Sequence, residues 1–590
     1  MANGKWKMEN CKWWMKKLII VLGVLTMCIA GMILLSGCAG RYTPPLFDDT
    51  LPPVEPDPDV HVRVTAAGEP NIIYAPLSNR AGYRYGPSIM YYADGSCDAW
   101  FSANGNFGEW DWVTVRHSTD GVEFTDERSA LSPHPDSYDN FSCCDPGAIY
   151  FGGYYYVGYT STIESTGGGV NNNVFVARSE RPEGPYEKWN GKGWGGDPAP
   201  VIYYDEYDLK YGSGEPSFVV VDDVLYMYYT WACPEGNYAK VSTSDTAEDW
   251  PARLEYRGIA YTKAAQDSID VAYLEDAGKF IAFATQNRFS ENSGIAVLES
   301  EDGLSFQQTD FICEGLYQYC HNMGIARRPD GHIQLKDNVF VGYAFSDGES
   351  GNWGKWATAF QPVKLELYRG EVTPSPASKS ILCVDYFTDP ELDRPMIAIA
   401  SSDRILELYS LDDKHSVNIV WLDSFLDTHA IEDTKNLRFY GYDKSLITIK
   451  GTMIYSHGVS GVTMVSVSYK GYYARFKVFV HDDYPEFRDN FTKTVVSFTP
   501  VCDTFELSLS ERHHPQIRGL VRFSDSTWGE AFNDGEMINI DKFPVTYDVL
   551  DERIAMVNNR GIIYPVSPGT TRVKVTVAGE TSFYVTITIF

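Results

Sequence analysis

Residues 61–370 repeat one short pattern five times. In each copy a Gly- or Pro-containing turn leads into an apolar strand, a tight turn follows, and a second, aromatic strand runs back. The copies read YGPSIMYYADGSCDAWFS from Tyr85, CDPGAIYFGGYYYVGYTS from Cys144, GEPSFVVVDDVLYMYYTW from Gly214, IDVAYLEDAGKFIAFAT from Ile269 and HNMGIARRPDGHIQLKDNVFVGYAFS from His321. After each of the first four a third strand ends in a polar turn, as in VRHSTDGVEF and VLESEDGLSF. Units of several short strands, each about 40–50 residues long, are the signature of propeller blades. Five copies predict five blades. The preceding segments VHVRVTAAG and NIIYAP are expected to supply the strand that closes the ring. No window carries helical periodicity, so an all-β chain is expected.

Residues 381–590 hold a second repeat. DKSLITIKGTMIYSHGVSGVTMVSVSYKG from Asp443 matches DERIAMVNNRGIIYPVSPGTTRVKVTVAGE from Asp551 without a gap, pairing Leu446 with Ile554, Gly461 with Gly569 and Thr463 with Thr571. Alternating strands broken by Gly turns predict β-sandwiches, and the pattern resembles bacterial Ig-like group 2 domains. The fold expected for the whole chain is all-β: a five-bladed β-propeller over 61–370, then Ig-like β-sandwich domains over 381–484 and 490–590.

The blade openings DPGAIYFGGYYYVGYTS and GEPSFVVVDDVLYMYYT resemble those of the five-bladed β-propeller glycosidases of the family 43 and 32 type, over about residues 75–365. That resemblance implies acidic residues that project from the inner strands into a central funnel. One Asp would be base or nucleophile, one Glu the acid, and another Asp would tune the acid and orient the sugar. The openings in order are Gly86, Asp145, Glu215, Asp270 and Asn322. Glu215, in Gly214-Glu215-Pro216-Ser217, matches the acid-bearing strand start. Asp145 and Asp270 would share the base and orienting roles. Like charges crowded on one axis split their pKa values, which is what glycoside hydrolysis requires. Gly86 departs from the pattern, because the resemblance implies an Asp there. Taken singly, an Asp or Glu before a strand is also an ordinary turn former.

His321 and Asn322 at the fifth opening, Arg84 and Arg288, and the aromatic faces of Trp110 and Trp112 are candidates for binding sugar. Arg116 is a third such arginine; taken singly, each arginine is more often a salt-bridge partner, and a blade tryptophan is more often packing. The turns Ser118-Thr119-Asp120-Gly121 and Ser300-Glu301-Asp302-Gly303 resemble Asp-box hairpins and are read as turns. No cofactor is required by this reading. A Ca²⁺ ion or a water could sit on the axis, although no EF-hand loop is present. Cys143–Cys144 and Cys313–Cys320 could each pair, with buried thiols the alternative.

The formal charge of −30 excludes a nucleic-acid partner that would need a basic patch. The chain begins with Lys5, Lys7, Lys12, Lys16 and Lys17, then an uncharged run from Leu18 to Leu35, then Leu35-Ser36-Gly37-Cys38. Basic, apolar and small-residue segments in that order make a secretory signal. This one resembles the bacterial lipobox, which implies removal of residues 1–37 and lipid on Cys38. An uncleaved membrane anchor is the alternative. Either places the rest outside the cytoplasm, tethered by the Pro- and Asp-rich residues 38–60, which are expected to be extended and disordered. The leading expectation is a membrane-anchored, cell-surface glycoside hydrolase acting on a poly- or oligosaccharide. The second is a non-catalytic carbohydrate-binding or adhesion lipoprotein.

Overall fold

The innermost strand of each repeat is apolar on both faces, because blades pack on either side of it. All eight residues of Arg84–Tyr91 and of Cys144–Phe151 are buried. The computed structural model describes residues 42–590 apart from 77–81, 106–109, 163–168, 205–209, 349–354, 375–394, 482–494, 531–544 and several shorter stretches. Residues 1–37 and Cys38 lie outside the described residues.

Five antiparallel blades form the propeller. Blade one is Arg84–Tyr91, Cys97–Asn104, Asp111–Ser118 and Asp126–Leu131. Blade two is Cys144–Phe151, Tyr154–Ser161, Asn173–Ser179 and Glu187–Lys188. Blade three is Gly212–Val221, Val224–Cys233, Gly236–Asp245 and Glu255–Thr262. Blade four is Gln266–Leu274, Lys279–Gln286, Gly294–Ser300 and Gln307–Ile312. Blade five takes His321–Arg327, Phe340–Phe345 and Ala357–Arg369, and its outer strand comes from the start of the domain. Val60–Ala66 pairs antiparallel along Ala357–Arg369, with Val62 and Val64 in the core. The expected closing strand is therefore made, and it ties the start of the domain to its last blade.

The inner strands crowd the axis. A Cβ on Gly147 would overlap the Pro216 carbonyl, and one on Gly324 would overlap that of Pro87. Each inner strand also begins with a bulge. Register shifts fall between Tyr85 and Ser88, Cys144 and Gly147, Gly214 and Ser217, Gln266 and Ile269, and His321 and Met323. In the first three the residue after the kink is proline, which has no N–H to give to the ladder.

The Asp-box turns are turns, as expected. Asp120 Oδ1 accepts from the amides of Val122 and Glu123, and Asp302 Oδ1 accepts from those of Leu304 and Ser305. No vicinal disulfide joins Cys143 to Cys144. The Cys320 thiol donates to the Tyr317 carbonyl, so it is not paired with Cys313.

The described part of the 38–60 tether departs from expectation. It forms no strand before Val60, yet residues 45–59 lie along the propeller. Phe47 packs edge-on against Tyr91, Asp49 pairs with Arg328, and the Leu51 amide donates to Glu275. Composition alone called for disorder, but specific partners on the blades hold the segment.

Beyond the propeller lie two β-sandwiches with separate cores. The first includes Ile399, Ile447, Val465 and Phe476, and the second Ala555, Val573, Val585 and Ile587. Their kinship is visible in matching contacts. The Asp443 amide donates to Thr463 Oγ1 at 2.8 Å, and the Asp551 amide donates to Thr571 Oγ1 at 3.0 Å. Gly461 makes room for Leu446 as Gly569 does for Ile554.

The first sandwich docks on blade one. Trp112 is buried in a cluster with Ile397, Ala398, Val420, Leu422 and Leu426. Arg404 donates to the Asn140 carbonyl, and Lys477 pairs with Asp197 at 3.0 Å. Trp112→Ala should therefore cost about 3–5 kcal/mol. Denaturant unfolding followed by fluorescence should show the loss, with the sandwich becoming sensitive to protease.

Candidate active site

The bulges aim side chains at the axis. Asp145, Glu215 and Asn322 occupy left-handed backbone at φ 48°, 53° and 31°, and Gly86 does so at 58°. Such conformations cost a non-glycine residue roughly 1–3 kcal/mol and persist where the surroundings impose them. Here the surroundings are hydrogen bonds from the neighbouring blade. The Asp145 amide donates to Ser102 Oγ at 2.7 Å, and the Glu215 amide donates to Thr160 Oγ1 at 2.8 Å.

The ring then assembles side chain to side chain. Asn322 Nδ2 donates to Asp145 Oδ1 at 3.1 Å and to Glu215 Oε1 at 3.4 Å. Those two carboxyl oxygens are thus no farther apart than the two bonds laid end to end. Tyr211 donates to Asp145 Oδ2 at 3.1 Å. Asp145, Glu215, His321, Asn322, Arg288 and Trp110 all line one cavity of about 480 Å³. Its walls also include the aromatic rings of Tyr85, Phe141, Tyr211 and Phe289.

Asp270 converges on the axis, where it lines a small pocket with Gly86, Asp145, Glu215 and Asn322, but it does not line the larger cavity. At the bulge between Gln266 and Ile269 stands Asp267, which the sequence did not single out. Asp267 Oδ1 pairs with Arg288 at 2.7 Å, and its Oδ2 faces His321 Nδ1 at 3.3 Å. Asp270 sits deeper and holds blades together. It accepts from Ser217 Oγ at 2.6 Å and the Ile325 amide at 2.8 Å, and it pairs with Arg327 at 2.8 Å.

Two further candidates fall outside the cavity. Arg84 is buried in an ion pair with Glu127 at 2.5 Å and reaches the Ser424 carbonyl of the first sandwich. Trp112 is committed to the sandwich contact. Arg116 shares Glu127 with Arg84. In contrast, Asp111 was not anticipated and lines the cavity, with its carboxyl accepting from Tyr83 and Tyr85.

The environment separates the acids. Burial pushes the Glu215 carboxyl up to about 8, aided by the charge of Asp267 and opposed by Lys263. Burial also lifts Asp145, to about 6, against hydrogen bonds from Thr160 and Tyr211. Burial would raise Asp267 too, but Arg288 and His321 hold it well below the usual carboxylate range. Burial keeps Asp111 far above that range. Burial therefore favours a proton on Glu215 over one on Asp145, while Asp267, held by Arg288 and His321, keeps its charge. Proton donors and bases are separated in this way where both must act at one pH. Among the described residues no group of three or more His, Cys, Asp or Glu is arranged to hold a metal ion.

No family model and no curated protein matches the chain. Solved structures do. A family 117 glycoside hydrolase from Zobellia galactanivorans is 15% identical, over 52% of this chain and 90% of its own, with a TM-score of 0.39. An α-L-arabinofuranosidase from Lactobacillus brevis is 14% identical, over 49% and 92%, with a TM-score of 0.35. An endo-arabinase from Bacteroides thetaiotaomicron is 14% identical, over 49% and 96%, with a TM-score of 0.35. The match covers about half of this chain.

Because Glu215 and Asp145 bind protons more tightly folded than unfolded, what they add to stability is full below about pH 4. It is lost as pH rises through about 6 and then about 8. Glu215→Gln cannot ionise. Its melting temperature should exceed that of the wild type above pH 8, and the gap should close by pH 5.

Proposed function

We propose that the chain is a glycoside hydrolase acting on a poly- or oligosaccharide in the axial cavity of its propeller. The observation that carries this reading is a pair of buried carboxyls, Glu215 and Asp145, joined through Asn322 Nδ2 in one cavity, with burial raising Glu215 further than Asp145. Glu215 donates its proton to the departing glycosidic oxygen. With Gly86 at the first opening, Asp145 is the ring carboxylate left to serve as base or nucleophile. Trp110, Phe141 and Phe289 offer apolar faces to sugar C–H surfaces, while Asn322 and Arg288 offer donors to hydroxyls. The cavity is also within the usual size of small-molecule sites.

A second reading, a non-catalytic carbohydrate-binding protein, is favoured by Gly86 alone. Room for a side chain exists there, since a Cβ would come no nearer than 3.7 Å to Asp145 and Asn322. The position is vacant through its residue type and not through crowding. The proposal also places the chain outside the cytoplasm, anchored to a membrane through lipid on Cys38. The run of basic, apolar and small residues ending at Leu35-Ser36-Gly37-Cys38 supports that placement.

A panel of plant, fungal and host glycans separates the two readings. Reducing ends should appear with the wild type, and Glu215→Gln should lower kcat/KM by about 10²–10⁴-fold. The pH profile should be bell-shaped, falling below about 6 and above about 8. Binding without turnover by both proteins would favour the non-catalytic reading.

A further inference from the structure

Glu215 is held from behind as well as from the axis. Its Oε2 accepts the hydroxyl proton of Thr230, which lies on the next strand of the same blade. Thr230 Oγ1 in turn accepts from Lys263 Nζ at 2.5 Å, and the same ammonium lies 3.8 Å from Glu215 Oε2. The Lys263 side chain has no solvent exposure, and neither Lys263 nor Thr230 lines the cavity. This buried cation thus serves Glu215 from outside the substrate's reach.

The chemistry of this chain of donors leaves little freedom. An ammonium group only donates, so Thr230 Oγ1 must accept from it. The single hydroxyl proton of Thr230 is then directed at Oε2. A positive charge close to Oε2 also disfavours a proton on that oxygen. Oε1 faces the other way, where it accepts only a long bond of 3.4 Å from Asn322 Nδ2, beside Asp145 on the axis.

We propose that Lys263 and Thr230 are positioning residues that keep Oε2 of Glu215 an acceptor, and so place its transferable proton on Oε1, the oxygen turned toward the cavity. The inference rests on reading Glu215 as the general acid. The groups that face Glu215 are Lys263 and Arg288, which favour its carboxylate, and Asp145, Asp267 and Tyr211, whose negative forms oppose it. Removing Lys263 leaves the opposing carboxylates with one cation fewer. The midpoint of Glu215 must then move up.

The test uses the full chain with ¹³C in the Glu side-chain carboxyls. The Glu215 resonance is the one missing from Glu215→Gln. Lys263→Met should raise its titration midpoint by about one pH unit or more. Thr230→Val, which keeps shape and removes the hydroxyl, should move it by a smaller step in the same direction, and Thr230→Ser should restore the wild-type midpoint. On a cleaved glycan, Thr230→Val should lower kcat about ten-fold or more with KM little changed. Unchanged midpoints in both Lys263→Met and Thr230→Val would overturn the proposal, and either variant suffices if the other does not fold. Shifted midpoints with no cleavage by the wild type would support the chain of donors and defeat the hydrolase reading. Cleavage lost in Glu215→Gln, but with midpoint and kcat untouched in Thr230→Val, would do the reverse.

Discussion

The structure depends on a backbone kink repeated around an axis. At Gly86, Asp145, Glu215 and Asn322 the backbone is left-handed and the ladder to the next strand breaks, so the side chains of the last three turn inward. One such kink would be a strained turn. Placed in a closed ring, the kinks make Asp145, Glu215 and Asn322 meet. Neighbouring blades supply the hydroxyls of Ser102 and Thr160 that hold two of the kinks in place. Strain in the backbone and convergence of the carboxyls therefore have one cause.

Convergence then sets the charges. These carboxyls are buried, so each acid feels its neighbours strongly. Arg288 draws the negative charge onto Asp267, and the proton stays with Glu215. The cavity is built on strands and braced from outside. The Cys143 amide donates to the Asp111 carbonyl, and Arg404 of the first sandwich donates to the Asn140 carbonyl in the same wall. That sandwich is part of the support of the cavity wall and not a remote spacer.

Most of the architecture was legible in the sequence because it repeats. Blade number, the closing strand and the paired sandwiches each leave the same apolar pattern several times. In blade four Asp270 does converge on the axis, but Asp267, three residues earlier and with no proline to mark it, takes the place beside Arg288 and His321. Arg84 and Trp112 take the structural alternative, ion pair and packing, because sequence shows neither which way an arginine leaves a strand nor that a second domain covers the tryptophan. Asp111, Thr230 and Lys263 lie on other strands of their blades or at a strand's end. Only coordinates bring them to Asp145 and Glu215.

The central claim is that the axial ring, with Glu215 as its acid, is where a glycosidic bond is broken. A crystal structure of Glu215→Gln with a glycan that the wild type cleaves tests it most directly. The account predicts the scissile oxygen within about 2.6–3.2 Å of the residue 215 side chain, with the adjoining sugar ring between Asp145 and the aromatic wall of Trp110 and Phe141. A glycan bound only on the outer edges of the blades or on the sandwiches, with the axial cavity empty, would contradict it.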